Sequence, residues 1–163
     1  MSCGNRVLLV DDDHEIAIGA SLRLRAAGYE PIVAHSGDEG VASARRYRPE
    51  AIVLDLRMPG TDGLTALAEL RQHEETKDIP VVMLSASLTD ERATLDAGAR
   101  FFVRKPYHAQ TLLTAVATAI RESACPPAVK ELSRSVSVLP AVSQMSHGAA
   151  WARTPVTGGD SAA

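Results

Sequence analysis

The chain has 163 residues, enough for one ordinary domain, and a formal net charge of −3 that argues against strong electrostatic binding of nucleic acid. Hydrophobic residues make up 45% of the sequence but aromatic residues only 4%, so the core must consist mainly of aliphatic side chains. No apolar stretch approaches the roughly 20 residues that cross a bilayer, and no secretory signal is visible at the N-terminus. With Cys3 and Cys125 as its only cysteines, the chain has no disulfide framework, and we expect a cytoplasmic protein.

Short apolar runs alternate with longer amphipathic stretches through the first three quarters of the chain. The runs predict strands at residues 7–10, 31–34, 51–54, 80–84 and 101–103. The stretches between them predict helices at residues 15–27, 38–47, 64–73, 89–97 and 109–122. Helix signals agree, because Ser36 and Glu39 form a capping box and Gly28 stands where the first helix should end. Five strands that are each followed by a helix are typical of an α/β domain with a parallel sheet.

The composition changes after residue 124. Residues 125–163 are rich in Ser, Pro, Ala and Gly and show little periodicity. Such a segment buries too little apolar surface to offset the entropy lost on ordering. We therefore expect residues 1–124 to form the domain and residues 125–163 to be a disordered tail.

Acidic residues follow two of the predicted strands. Asp11, Asp12 and Asp13 come directly after the first strand, and Asp55 ends the third. Because the carboxyl ends of parallel strands meet at one edge of a sheet, these carboxylates should converge there. Like charges that close together need a cation such as Mg²⁺, although Asp55 taken alone is better interpreted as a solvated carboxylate at a strand end.

Other polar residues near these acids have structural interpretations. Asp13 is better placed as the N-cap of the first helix than as a ligand, because its side chain can accept from free amides there. Asp11 and Asp12 directly follow the last apolar residue and are assigned to the site, although three consecutive acids leave the register open by one. We expect Asp62 to cap the third helix or shape its turn, and His14 to be a solvated helix residue.

The pattern resembles the receiver domain of two-component response regulators, over about residues 5–123. The matching pieces are the acidic cluster, Asp55 with the turn Met58-Pro59-Gly60 after it, Ser85 after the fourth strand, and Lys105-Pro106 after the fifth. Each piece is weak alone, but four in the right order, each at a strand end, are specific. The resemblance implies a flavodoxin-like fold: a five-stranded parallel sheet of order 2-1-3-4-5 with helices on both faces.

The resemblance also implies a phosphoacceptor site. Asp55 would take a phosphoryl group from a histidine kinase or a histidine phosphotransfer protein. Asp12, Asp55 and the main-chain carbonyl of Arg57 would bind Mg²⁺ (or Mn²⁺), and Asp11 would bind it through a water molecule. Lys105 would set its ammonium against the phosphoryl oxygens. Such a domain catalyses its own phosphorylation and dephosphorylation but turns over no separate substrate, so we do not expect an enzyme.

Two further residues are expected to report phosphorylation to the surface. Ser85 would donate its hydroxyl to a phosphoryl oxygen only after phosphorylation. Phe102 stands where the family often carries a rotating aromatic ring, although simple core packing explains it as well. The side chain of Arg57 either orders water, shields the phosphoryl group or faces solvent. The resemblance implies protein targets, and a homodimer through the face of the fourth helix, fifth strand and fifth helix; we expect neither direct DNA binding nor membrane contact.

Three alternatives stay open at this point. The chain is a stand-alone, chemotaxis-type regulator or the receiver part of a longer regulator whose output domain is absent. An enzyme of the haloacid-dehalogenase type would also use an Asp-x-Asp motif after a first strand, as in Asp11 to Asp13, but its later acidic pair is not found. A receiver that docks its partners without phosphorylation would be expected to lack some of the acids, and none is missing.

Overall fold

Five parallel β-strands alternate with five α-helices in the structure, a computed structural model that describes residues 5–124. The strands are β1 (Arg6–Val10), β2 (Glu30–Ala34), β3 (Ala51–Asp55), β4 (Val81–Ser85) and β5 (Phe101–Arg104). The helices are α1 (His14–Ala26), α2 (Gly37–Tyr47), α3 (Gly63–Gln72), α4 (Asp90–Asp96) and α5 (Ala109–Ser123). All ten predicted elements are confirmed, with boundaries that differ by a single residue. The expected tail at 125–163, Cys3 and Cys125 lie outside the described residues.

The strands form one sheet in the order β2-β1-β3-β4-β5, which confirms the predicted flavodoxin-like topology. Every neighbouring pair is parallel, with Val10 beside Leu54 and Asp55 beside Leu84 at the carboxyl edge. The chain runs outward from β1 to β2 and then returns to the other side of β1 to form β3. This reversal leaves a crevice between the carboxyl ends of β1 and β3, which is where open α/β sheets bind ligands.

The core consists of two aliphatic layers, one on each face of the sheet. Side chains alternate along a strand, so Val7 and Leu9 face α1 and α5, whereas Leu8 and Val10 face α2 and α3. β3 and β4 are buried at every position because helices cover both of their faces. The sheet is therefore a rigid support whose carboxyl edge carries the polar residues.

Local signals begin and end the helices. The side chain of Asp13 accepts from the amides of Glu15 and Ile16 at 2.9 and 3.1 Å, which confirms its predicted capping role. Asp62 caps α3 in the same way by accepting from the Thr65 amide at 2.8 Å. Gly28 follows α1 with φ +89°, a conformation that favours glycine. Within residues 5–124, no helix combines the length and hydrophobicity that crossing a membrane requires.

Candidate functional site

The carboxyl ends of four strands bring the predicted site residues to one edge of the sheet. Asp11 follows β1, Asp55 and Ser85 are the last residues of β3 and β4, and Lys105 follows β5. Carboxylate oxygens of Asp11, Asp12 and Asp55 lie within 4.8 Å of one another. Asp11 is fully buried and Asp55 is 5% exposed, while Asp12 is the most accessible of the three. The acids of two separate strand ends therefore form one cluster.

Lys105 reaches into this cluster from β5. Its Nζ atom donates to Oδ2 of Asp11 at 2.9 Å and lies 3.2 Å from Oδ1 of Asp55. The backbone holds the lysine there, because the Lys105 amide donates to the Ser85 carbonyl at 2.7 Å. One ammonium group is thus shared by two buried carboxylates.

Burial and charge shift the titration of both partners. Burial is the main reason why the pKa of Asp55 is raised; the Lys105 ammonium opposes this shift and the Asp11 carboxylate adds to it. Burial alone would lower the pKa of Lys105, but the hydrogen bond to Asp11 and the charges of Asp55 and Asp11 raise it above its ordinary value. The Lys105 side chain therefore stays charged at neutral pH, beside two carboxylates.

The residues of the cluster suit a magnesium ion. Oδ1 of Asp11 accepts from the Asp13 amide at 3.0 Å and its Oδ2 from Lys105, so this side chain is held in one orientation. Among the described residues, Asp12 takes part in no side-chain hydrogen bond, which leaves both of its oxygens available. Carboxylate oxygens are the ligands that Mg²⁺ prefers, and it usually binds one or two of them while keeping water. Asp12 and Asp55 are therefore the side chains best able to hold such an ion.

Three other polar residues stand near the acids without joining them. Asp13 and Asp62 cap helices, as described above, and the His14 ring packs against the His35 ring with their centroids 4.0 Å apart. Nδ1 of His35 lies 3.2 Å from the carbonyl oxygen of Asp11. No sequence pattern connects His35 with this site, because it follows β2 and is 24 residues from Asp11.

Ser85 and Arg57 meet at a residue that sequence analysis missed. Oγ of Ser85 donates to Oδ2 of Asp90 at 3.0 Å, and Nη2 of Arg57 lies 3.2 Å from the same oxygen. Asp90 is the first residue of α4 and looked like an ordinary acidic residue of a helix start. Only the folded chain brings it to the ends of β3 and β4.

Phe102 packs where its predicted role requires. It lies beside Met83 in the register of β4 and β5, and Arg104 lies beside Ser85. Because side chains alternate along a strand, Phe102 and Ser85 project from the same face of the sheet. The ring is half-buried against the core layer under α2 and α3. Its rotation on phosphorylation stays a prediction.

Gly63 lies closely against the backbone of Asp55 and Leu56. A Cβ atom at this position would overlap the carbonyl oxygen of Asp55 and lie 2.7 Å from Cα of Leu56. The Gly63 amide also donates to the Leu56 carbonyl at 3.0 Å. The start of α3 can therefore lie directly against the end of β3 only because residue 63 lacks a side chain.

Comparison with known proteins agrees with this geometry. Residues 7–117 match the family model described as the response regulator receiver domain. The chain belongs to this family. Receiver domains are signalling switches of two-component systems and bind Mg²⁺ at an acidic pocket.

Two curated relatives match this receiver domain over part of their length. The "DNA-binding dual master transcriptional regulator RpaA" of Synechocystis is 38% identical over 120 residues, which are 72% of this chain and 50% of that protein. The transcriptional regulatory protein PrrA of Mycobacterium tuberculosis is 40% identical over 118 residues, which are 71% of this chain and 50% of that protein. The chain thus spans about half the length of these relatives.

Solved receiver structures match over nearly their whole length. A putative response regulator from Chloroflexus aurantiacus is 35% identical with a TM-score of 0.69, covering 72% of this chain and 98% of that one. The chemotaxis protein CheY4 of Vibrio cholerae is 30% identical with a TM-score of 0.68, covering 72% and 99%. The receiver domain of a Pseudomonas aeruginosa sensor histidine kinase, with a magnesium ion coordinated in its active site cleft, is 31% identical with a TM-score of 0.68, covering 73% and 99%.

Proposed function

We propose that this receiver domain is a phosphorylation-controlled switch whose acceptor is Asp55. The phosphoryl donor is a histidine kinase or a histidine phosphotransfer protein in the cytoplasm. The observation that carries this proposal is the single cluster formed by Asp11, Asp12, Asp55 and Lys105. Three acids and one lysine at a sheet edge suit phosphoryl transfer, which requires mainly positioning and charge neutralisation.

In the proposed reaction, an Asp55 carboxylate oxygen attacks the phosphorus of a phosphohistidine. The new oxygen–phosphorus bond forms as the nitrogen–phosphorus bond breaks, and the electron pair of that bond stays on the imidazole. Lys105 already lies 3.2 Å from Asp55 and needs to move little to contact a phosphoryl oxygen.

The proposed metal ligands are those that the resemblance implies. Asp12, Asp55 and the main-chain carbonyl of Arg57 would hold Mg²⁺ (or Mn²⁺) directly, and Asp11 would hold it through a water molecule. When bound, the ion supplies positive charge against the acceptor carboxylate and the incoming phosphoryl group. The Asp11 side chain is suited to an indirect role, since Lys105 already occupies one of its oxygens.

Phosphorylation would then change the surface formed by α4, β5 and α5. Ser85 gives its hydroxyl to a phosphoryl oxygen, and Phe102 turns into the space that the loop of Ser85 vacates. Leu88 precedes α4 and is 55% exposed, and Leu95 lies within α4 and is 38% exposed. Together they offer apolar area for a target protein or a second copy of the chain. The name of the Synechocystis relative refers to DNA binding, but half of that protein lies outside the match. For this domain we propose action through protein contacts.

The proposal is tested by incubating the protein with acetyl phosphate and Mg²⁺ and measuring intact mass. We expect the mass of one phosphoryl group to be added, to survive mild acid and to be lost in base. Asp55→Asn should abolish the addition. Asp62→Asn is the matched control: it removes a carboxylate seven residues along the same chain segment, and asparagine can still cap α3.

Three results would count against this function. Equal labelling of Asp55→Asn and the wild type would show that the acceptor is another residue. Full labelling of the wild type in excess chelator would show that the reaction does not need a divalent metal ion. Sustained turnover of small phosphate esters by Asp55→Asn would indicate an enzyme of a different class.

A further inference from the structure

One carboxylate oxygen joins the two donors that flank the proposed acceptor. Oδ2 of Asp90 accepts from Oγ of Ser85 at 3.0 Å and lies 3.2 Å from Nη2 of Arg57. Ser85 is 1% exposed, the Asp90 side chain is 19% exposed and the Arg57 side chain is 72% exposed. The hydrogen bond from the buried Ser85 hydroxyl is therefore the stronger of the two contacts of Asp90. The ion pair with Arg57 is weaker because the guanidinium is exposed to solvent.

Both donors originate beside Asp55. Arg57 is two residues after the acceptor, and Ser85 ends the neighbouring strand, where Leu84 is the register partner of Asp55. A phosphoryl group on Asp55 carries more negative charge than a carboxylate and has three accepting oxygens. It would therefore compete with Asp90 for the Ser85 hydroxyl and for the Arg57 guanidinium.

Asp90 also holds the first turn of α4. The N-cap residue of this helix, Thr89, makes no side-chain capping hydrogen bond. The backbone bonds here are long, at 3.4 Å from the Asp90 amide to the Ser87 carbonyl and 3.3 Å from the Glu91 amide to the Leu88 carbonyl. The backbone bonds of this first turn are therefore weak, and among the described residues the Asp90 side chain links the turn to Ser85 at the end of β4 and to Arg57 after β3.

We propose that Asp90 is a positioning residue of the switch. It holds Ser85 and Arg57 away from Asp55 until a phosphoryl group on Asp55 draws both donors away from Asp90. Transfer of the two donors releases the first turn of α4 at the same time. Asp90 thus links the occupancy of Asp55 to the position of α4. This inference rests on the proposed function, because it assumes that Asp55 is the acceptor.

The variants Asp90→Ala and Asp90→Asn separate the two contacts. Alanine removes both, whereas asparagine keeps an oxygen that can accept from Ser85 and removes the charge that attracts Arg57. Arg57→Gln removes the guanidinium alone. The matched control is Asp96→Ala, which removes a carboxylate from the other end of α4, where its 4.0 Å pair with Arg92 is exposed.

Two measurements report the effect with Mg²⁺ present. The first is the backbone amide chemical shifts of Ser85, Ala86 and Ser87, measured by NMR without phosphodonor. In Asp90→Ala these shifts should lie part of the way between those of the untreated wild type and those of the wild type treated with acetyl phosphate. The initial rate of Asp55 phosphorylation at low acetyl phosphate should rise about fivefold in Asp90→Ala, as expected for losing one partly buried charged hydrogen bond and one exposed ion pair. Asp90→Asn and Arg57→Gln should show smaller changes, and Asp96→Ala none.

The outcomes distinguish this inference from the function on which it rests. If the wild type is not labelled on Asp55, both are overturned. If the wild type is labelled but Asp90→Ala and Asp90→Asn keep its amide positions and its rate, the positioning role of Asp90 alone is wrong. A change of equal size in Asp96→Ala would show a general charge effect and would also overturn it. Thermal unfolding of each variant verifies that it is folded, and Asp90→Asn carries the test if the alanine variant is not.

Discussion

The Lys105 ammonium lies 2.9 Å from Oδ2 of Asp11, a carboxylate that is fully buried at the end of the central strand β1. The same ammonium lies 3.2 Å from Oδ1 of Asp55, so one cation stands between two neighbouring buried acids. Lys105 thus already contacts both carboxylates, whereas the Ser85 hydroxyl donates to Asp90. In the proposed switch the two residues therefore start from different states: Lys105 already contacts Asp55, and Ser85 must change its hydrogen-bond partner.

Replacing Lys105 should make folding stability depend on magnesium. Lys105→Met keeps most of the side-chain volume but leaves Asp11 and Asp55 without their cation, and we expect a loss of about 2 kcal/mol of unfolding free energy. A bound Mg²⁺ would compensate for much of the missing charge. Urea unfolding with and without Mg²⁺ should therefore show a larger metal-induced gain in Lys105→Met than in the wild type.

The exposed Lys77, which pairs with Glu74, is the control for this measurement. Lys77→Met should unfold like the wild type with and without the metal. An equal magnesium effect in Lys105→Met and the wild type would show that Lys105 does not neutralise the acid cluster.

Asp55→Asn should stabilise the metal-free protein at neutral pH. Burial raises the pKa of Asp55 in the folded chain, so the fold binds its proton more tightly than the unfolded chain does. The wild type therefore loses stability as pH rises from the ordinary value of 3.8 through the folded-state pKa, and asparagine does not. Above that window we expect the variant to be the more stable of the two proteins, and below pH 3.8 we expect no gain.

Asp62 supplies a control of opposite sign. Its hydrogen bonds with Thr65 lower the pKa of Asp62. The Asp62 carboxylate therefore stabilises the fold at pH values above its ordinary pKa, and this stabilisation is lost as the pH falls through the folded-state pKa. Asp62→Asn should therefore give no stabilisation at neutral pH. If both variants gave the same pH profile in urea unfolding, the cost assigned to the buried Asp55 carboxylate would be wrong.

Gly63→Ala should destabilise the fold and slow labelling of Asp55. A methyl group at residue 63 must push α3 away from the backbone of Asp55 and Leu56, and overpacking of this kind costs about 2 kcal/mol. Gly19→Ala, inside α1, is the contrast, because its Cβ would meet only the flexible end of Arg23 at 3.3 Å and alanine favours a helix. Thermal unfolding should show opposite shifts, and a wild-type melting temperature for Gly63→Ala would contradict the close packing.

Periodicity and strand-end chemistry predicted the ten elements and the convergence of the acids, whereas the strand order and the roles of Ser85 and Lys105 came from the resemblance to receiver domains. The runs at β1 and β3 end in acids, and a parallel sheet must bring those ends together, so Asp11, Asp12 and Asp55 followed from topology alone. The caps at Asp13 and Asp62 followed from local rules, since an N-cap bonds within its own first turn.

Residues that act across long sequence separations were missed. Asp90 lies 33 residues from Arg57, and no local pattern distinguishes it from any acidic residue in a first turn. Arg71 looked like an ordinary last-turn cation of α3, yet it donates to the carbonyls of Lys77, Ile79 and Gly98 at 2.8, 3.0 and 2.9 Å. Such contacts depend on how far a loop folds back, which side-chain type and spacing do not determine.

The most direct test of the central claim is chemical location of the phosphoryl group. Hydride from borohydride reduces an acyl phosphate to a primary alcohol with release of phosphate, which converts the acceptor aspartate to homoserine. After treatment with acetyl phosphate and Mg²⁺, then borohydride, peptide mass mapping should find homoserine at position 55 and aspartate at Asp11, Asp12 and Asp62. Homoserine at one of those three positions, or aspartate retained at position 55 in labelled protein, would contradict the account.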